Sequence, residues 1–429
     1  MTLAVPESPD MEDIESFRLR ARDWLKRNMP PAPDPALEIP DEERWARARK
    51  LQGALYEGGF AGLCYPREYG GQGLSLQYQK VFTEESLPYE MPIVFNIPTL
   101  SICLPTILEL GTEQQKKQHI NDVLCGREVL VEFLSEPHSG SDLAGVLTRA
   151  ERDGEKWVIN GSKIWTSHAY VGDVAMCLAR TDWDAPKHRG LTMFLVPVRS
   201  PGITIRRIRQ VNGKSEFCEE FFDNVVLGPE AVLGEVNGGW AVATRRFYYS
   251  RSAWGRGNPY ISGDHELSQA QSKGIDYGGY QSLAALAREV QGPSARAPDA
   301  VVDTYVNQTV RDLMARRVIE GVESGAMPPE AASMVRLFHA QIDWLSVDAR
   351  LEVAGSHAVT GPNPENSGIG SVGETFLIRQ ATSLGGGTTE MARNGISERV
   401  LGMPRDVASD LNISFKEARK IFTENRKRK

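Results

Sequence analysis

Val131-Glu-Phe-Leu-Ser-Glu-Pro-His-Ser-Gly-Ser-Asp142, followed shortly by Trp157-Val-Ile-Asn-Gly-Ser-Lys-Ile-Trp-Thr-Ser167, is the stretch on which the reading of this chain turns. The first segment crowds hydroxyls, a proline and small residues into a turn whose backbone N–H groups can face a planar or phosphorylated ligand. The second reads as a β-hairpin, with Asn160-Gly161 as the φ > 0 pair of a type I′ turn between apolar arms. Trp165 and Ser167 then stand two residues apart on one face of the returning strand. A stacking ring and a hydroxyl beside a polar turn suit a flat heteroaromatic cofactor.

On either side of this stretch the periodicity changes. Ile14, Phe17, Ala21, Trp24 and Leu25 share a helical face, so an amphipathic helix opens the chain. Pro30 to Glu43 reads as an acidic, Pro-rich loop, and helical patterns alternate with Gly-rich turns up to about Gly126. From Val129 to Gly234 short β-rich runs take over: Trp157–Ile159, Val174–Ala179, Leu191–Val198, Ile203–Ile208 and Phe217–Leu227. Asp153-Gly154, Pro201-Gly202 and Asn212-Gly213 supply turn signals between them, as expected of a small antiparallel barrel or sandwich. Long helical patterns return from Trp240, notably Ala300–Ser324 and Pro329–Ala358, and predict a helix bundle. The expected fold class is α+β, with domains at 1–128 (helical), 129–236 (β) and 237–429 (helical bundle).

The 429 residues are 41% hydrophobic, enough for a large core, and the net charge of −7 argues against nucleic acid as a partner. The basic Lys416–Lys429 end reads as a solvated helix terminus. No apolar run reads as membrane-spanning, the N-terminus lacks a secretory pattern, and the five cysteines lack paired spacing. The expectation is a cytoplasmic protein with reduced thiols and no membrane partner. Its histidines show no metal-ligand spacing, so no metal is predicted. Neither Gly255-Arg-Gly257 nor Asn212-Gly-Lys-Ser215 completes a nucleotide-binding glycine motif, which excludes Rossmann and P-loop readings.

With its flanks, the opening stretch resembles the acyl-CoA dehydrogenase family of flavoproteins. The (S/T)-E-P-x-x-G-S-D turn and W-x-(S/T) occur here in the family's order. Gly59-Phe-Ala-Gly-Leu-Cys-Tyr-Pro-Arg-Glu-Tyr-Gly-Gly-Gln-Gly73, Glu220-Phe-Phe-Asp-Asn-Val-Val-Leu-Gly-Pro229, Gly238-Gly-Trp240, Gly387-Thr-Thr-Glu-Met-Ala-Arg-Asn394 and Glu398-Arg-Val-Leu-Gly402 also follow its pattern. The resemblance implies three domains: helical, β, and four-helix bundle. It implies FAD, with Leu134, Ser135, Gly140, Ser141, Trp165 and Ser167 at the ring and Gly386, Gly387, Thr388 and Glu390 as further cofactor contacts. Ser141, Tyr248 and Arg251 are the implied substrate contacts, Arg251 orienting the pocket. The family's R-x-x-F-G motif is absent, and a polar insertion from Gly255 to Gly279 stands after the Gly-Trp helix.

Desaturating an acyl thioester requires a base for the α-proton while hydride leaves Cβ, and a desolvated carboxylate suits that task. The two positions where the family carries this glutamate hold Ser250 and Gly386 here. Three readings follow. A partner subunit supplies the base, as in paired bacterial enzymes acting on bulky, steroid-like acyl-CoAs; or Asp264 or Glu266 of the insertion serves; or the chain is a flavin monooxygenase of the same fold. A non-catalytic subunit sharing an FAD site is a further alternative. The resemblance also implies a dimer or tetramer, with α2β2 as one form, and electron-transferring flavoprotein as the acceptor. His138, inside the turn, is expected to be exposed, and Glu390 and Arg393 to pair on one helical face.

Overall fold

The computed structural model describes residues 12–33, 39–253, 279–290, 296–359, 367–405, 410 and 412–427. They form two compact units, one drawn from 1–209, 215–268 and 408–429, the other from 210–214 and 269–407.

In the first unit, helix α1 (Ile14–Asn28) starts at Asp13, whose carboxylate accepts the amides of Glu15 and Ser16. Its expected apolar face holds: Phe17, Ala21 and Leu25 are buried in a cluster with Phe60, Leu63 and Phe82. The loop expected to reach Glu43 ends sooner, because α2 (Asp41–Glu57) already begins at Asp41. Pro40 sets an extended cap, and Asp41, Glu42 and Glu43 place negative charge at the positive end of the helix dipole. Helices α3 (Leu76–Ser86), α4 (Leu104–Leu110) and α5 (Glu113–Leu124) follow, α5 opening on a capping box between Thr112 and Gln115. One expectation needs amending. Ile93–Leu110 is 18 residues long with mean hydropathy 1.7, so an apolar run of membrane-spanning length does exist. It is 72% buried inside the protein and is built from 3-10, π and α turns in succession. Its apolarity serves the core.

Eight strands form one sheet: β1 (Leu130–Phe133), β2 (Arg149–Asp153), β3 (Lys156–Ser167), β4 (Val174–Arg180), β5 (Leu191–Pro197), β6 (Ile203–Arg207), β7 (Phe217–Leu227) and β8 (Val232–Leu233). The order is β6-β7-β3-β2-β4-β5-β8, with β1 on β4. Pairing is antiparallel except β1 with β4 and a single β2–β4 contact. The alternating burial of β3 and the fully buried run of β4, apolar up to Arg180, show which strands line the core.

The hairpin expected at Asn160-Gly161 is not there. β3 runs unbroken through both residues, and the reversal falls at Asp153–Lys156 between β2 and β3. Asn160 and Gly161 instead form a bulge in the β3–β7 register. Gly161 has φ 148, and a Cβ there would meet Thr148 Oγ1 at 2.6 Å. The glycine serves close packing against β2, and the Asn160 amide is used in bonds to Asn224.

Helix α6 (Gly239–Ala253) packs on β5 and on residues 96–103. The basic C-terminal end is a helix, as expected, but it is anchored. Helix α12 (Phe415–Lys427) starts where Phe415 N–H reaches Ala185 O, and Phe415 lies 3.4 Å under the buried Arg180 guanidinium.

The second unit is helical: α7 (Tyr280–Glu289), α8 (Ala297–Glu323), α9 (Ala332–Ala354), α10 (Ser367–Ile378) and α11 (Thr389–Gly395). Leu283, Leu286, Val290, Ala300, Val353 and Val372 form its core.

Candidate active site

The turn after β1 is set by a carboxylate pointing inward. Glu136 and Ser139 exchange main-chain hydrogen bonds of 2.9 Å, and Ser135 O accepts Ile164 N–H at 2.9 Å, tying the turn to β3. The Glu136 side chain, 4% exposed, accepts Leu147 N–H (2.7 Å) and Thr148 N–H (2.9 Å) and pairs with Lys163 Nζ at 2.9 Å. Lys163 is fully buried and spends its other protons on Leu134 O (2.9 Å) and Leu178 O (2.7 Å). Burial pushes the Glu136 carboxyl upward, but the Lys163 charge and the donated hydrogen bonds hold it below the usual carboxylate range. This buried pair was not singled out from the sequence; the glutamate of the S-E-P turn and a lysine two residues before Trp165 were the only signals. With the acid turned in, Gly140 and Ser141 stay exposed, Ser135 is half-buried and Leu134 is buried behind them. His138 is exposed as expected and lies 3.3 Å from Glu136 Oε2.

A second bulge falls between Ile164 and Thr166. It leaves Trp165 unpaired at φ 66, with the indole 56% exposed and edge-on to Phe217 at 6.0 Å. The alternation expected for Trp165 and Ser167 survives as exposure, since Thr166 is buried between an exposed Trp165 and a half-buried Ser167. Thr166 Oγ1 lies 3.1 Å from Glu132 O and 2.9 Å from Glu220 Oε2. Glu220 is fully buried, and its Oε1 has no partner among the described residues.

On α6, Tyr248 is exposed and Ser250 buried. One turn before Ser250, Arg246 grips both carboxylate oxygens of Glu132. Arg245 and Tyr249 both hold Glu109. These two acids beside α6 are therefore committed to arginines and are not free bases. Ser250 is a hydroxyl. The side chain of Arg251 and the whole of 254–278, with Asp264 and Glu266, lie outside the described residues.

In the second unit, Gly386 (φ 72) and Gly387 (φ 99) shape an exposed loop. A glutamate in the left-handed conformation of Gly386 costs about 1–2 kcal/mol. Arg336 draws the carbonyls of Thr382, Gly385 and Gly387 to its guanidinium, which fixes the loop and was not anticipated. Thr388 caps α11 by accepting Met391 N–H at 3.1 Å. Glu390 pairs with Arg393 at 3.3 Å, as expected. In the first unit the turn that carries Leu134, Ser135, Gly140 and Ser141 is thus tied through Ser135 O to Ile164, next to Trp165 on the strand that also carries Ser167; in the second, Gly386, Gly387, Thr388 and Glu390 follow one another at the start of α11.

An outward indole on a left-handed residue, with half-buried Ser167 two residues on and half-buried Ser135 on the turn tied to Ile164, offers a stacking face and hydrogen-bonding groups. That donor set fits the ring of a flavin, which is planar, apolar on its faces and polar along one edge. The fold and this wall define a flavoprotein oxidoreductase. The family models of the acyl-CoA dehydrogenase N-terminal, middle and C-terminal domains match residues 11–127, 132–225 and 297–401. The chain is 32% identical over 407 residues to acyl-CoA dehydrogenase IpdE1 of Mycobacterium tuberculosis, covering 92% of this chain and 99% of that one. Among solved structures it resembles the Tcur3481-Tcur3483 steroid ACAD, with TM-score 0.70 and 25% identity over 94% of this chain and 100% of that one. The ChsE4-ChsE5 complex from M. tuberculosis shares the fold, with TM-score 0.66 and 23% identity over 94% of this chain and 100% of that one. This chain belongs to the acyl-CoA dehydrogenase family, oxidoreductases acting on the CH–CH bond of acyl-CoA thioesters.

Proposed function

We propose that this chain is one subunit of an FAD-dependent acyl-CoA dehydrogenase whose catalytic base comes from a homologous partner, and that its substrate carries a bulky, steroid-like acyl group. The observation that carries the reading is the exposed Trp165 indole beside the Ser135–Asp142 turn, taken with Ser250 and Gly386 at the two positions where the resemblance places the family's glutamate. Two similar structures support it: the Tcur3481-Tcur3483 steroid ACAD, which carries a paired name, and the ChsE4-ChsE5 complex. Val302, Val306, Val310 and Leu313 form an exposed apolar row along α8, which suits a subunit contact.

In this reading Ser135 and the nearby backbone hold the polar edge of the ring, Trp165 covers its face and Ser167 closes its far side. Gly386, Gly387 and Thr388 contribute the remaining cofactor contacts, with Glu390 next to them, while Ser141, Tyr248 and Arg251 meet the acyl-CoA. Bound at this wall, FAD supplies the acceptor for the hydride leaving Cβ of the thioester. The chain's own residues orient the ring and exclude water from it, and the α-proton passes to a carboxylate of the partner. Electrons leave to electron-transferring flavoprotein, the assembly is a dimer or an α2β2 tetramer, and the enzyme is cytoplasmic. The domains divide at 128/129 and 236/237.

Purification alone and with a co-expressed homologous partner, recording flavin absorbance and acyl-CoA oxidation, tests this. The expected result is activity only in the pair. A yellow homo-oligomer that oxidises acyl-CoA unaided would overturn the shared-base reading.

A further inference from the structure

Beneath Trp165 lies an acid that the site described above does not use. Glu220 stands on β7 opposite Lys163 of β3, fully buried, yet Lys163 gives it nothing. An ammonium has three protons, and those of Lys163 go to Leu134 O, Glu136 Oε1 and Leu178 O. Glu220 keeps one contact, Thr166 Oγ1 at 2.9 Å, and its other oxygen has no partner among the described residues. Thr166 Oγ1 also lies 3.1 Å from Glu132 O.

A threonine hydroxyl has one proton, and a carbonyl oxygen can only accept. Both contacts are satisfied together only when Glu220 carries a proton. The carboxyl O–H then donates to Thr166 Oγ1, and Thr166 donates to Glu132 O. An ionised Glu220 competes with Glu132 O for the same hydrogen, and one of the two contacts is lost. Thr166 is the residue at which the register resumes after the bulge that turns Trp165 outward, so this relay clamps the bulge from behind.

We propose that Glu220 is a positioning residue: as a neutral acid it fastens Thr166 between β1 and β7, and so holds the Trp165 indole in its outward, left-handed pose. The proposal rests on the flavin reading only for its consequence, a fixed wall for the ring; the clamp itself is a property of this chain. The surroundings favour the neutral form. Burial, and to a lesser degree Glu219, raises the carboxyl while Thr166 and Lys163 pull it down, and the balance leaves it at about 8. The other groups around it are the buried thiols Cys177 and Cys218, Ile205 opposite on β6, and Glu136, whose charge Lys163 already answers.

Trp165 emission, taken as the difference between the full-length chain and W165F, reads the clamp directly. In the unaltered sequence the emission should shift as pH rises through about 8. E220Q, whose amide still donates to Thr166, should lose that step, and T166V should give the high-pH emission throughout. A step retained in E220Q, or no step in the unaltered chain, would sink the proposal. The readout needs no flavin: a chain that never takes up flavin removes the cofactor assignment, while Trp165 emission still judges Glu220.

Discussion

Lys163 and Glu136 are both buried, so removing either strands the other. We expect K163M to lower unfolding free energy by about 3–5 kcal/mol and to lose bound flavin, and the E136M/K163M double variant to recover much of the stability. Denaturant midpoints and flavin content check this, and a K163M midpoint equal to the parent's would contradict the role given to the pair. Glu220 has the opposite electrostatics. Its folded pKa is raised to about 8 from 4.5, so its contribution is full below pH 4.5 and is lost as pH rises to about 8. The full swing is roughly 5 kcal/mol. Buried His168 and half-buried His339, both lowered to about 4, add stability with rising pH up to 6.5 and mask part of this slope. The informative quantity is therefore the difference between E220Q and the parent, which should move in favour of E220Q as pH increases from 5 to 8; a flat difference would count against a neutral Glu220.

Among the elements, long helices were legible because apolar periodicity is a local signal: the patterns at Ala300–Ser324 and Pro329–Ala358 became α8 and α9 nearly in place. The Asn160-Gly161 pair misled for the converse reason. The dipeptide has the conformational freedom of a turn, but here that freedom is spent on a bulge and on contact with Thr148, a neighbour no local window contains. G161A should cost about 1–3 kcal/mol, seen as a drop in Tm, because both φ and the 2.6 Å approach oppose a Cβ. Similarly, α12 was readable as a basic helix but not as an anchored one. F415A should loosen it and speed proteolysis of the last residues, with the rest of the chain intact.

For the whole molecule, the exposed row on α8 is the surface proposed for a subunit contact. V306D with V310D should shift the protein to a smaller species on size-exclusion chromatography; unchanged elution would assign that row no role in association. The α–β–α order was plain in the chain, as were the Ser135–Asp142 turn and the lack of a carboxylate at Ser250 and Gly386, since each depends on residue types at short spacing. What had to await the folded protein were the states of its buried charges. Lys163 and Glu136 are 27 residues apart and Thr166 and Glu220 are 54 apart. Whether a carboxyl is ionised in the interior depends on burial and on how many protons a distant neighbour has left to give, and only folding brings those two facts together.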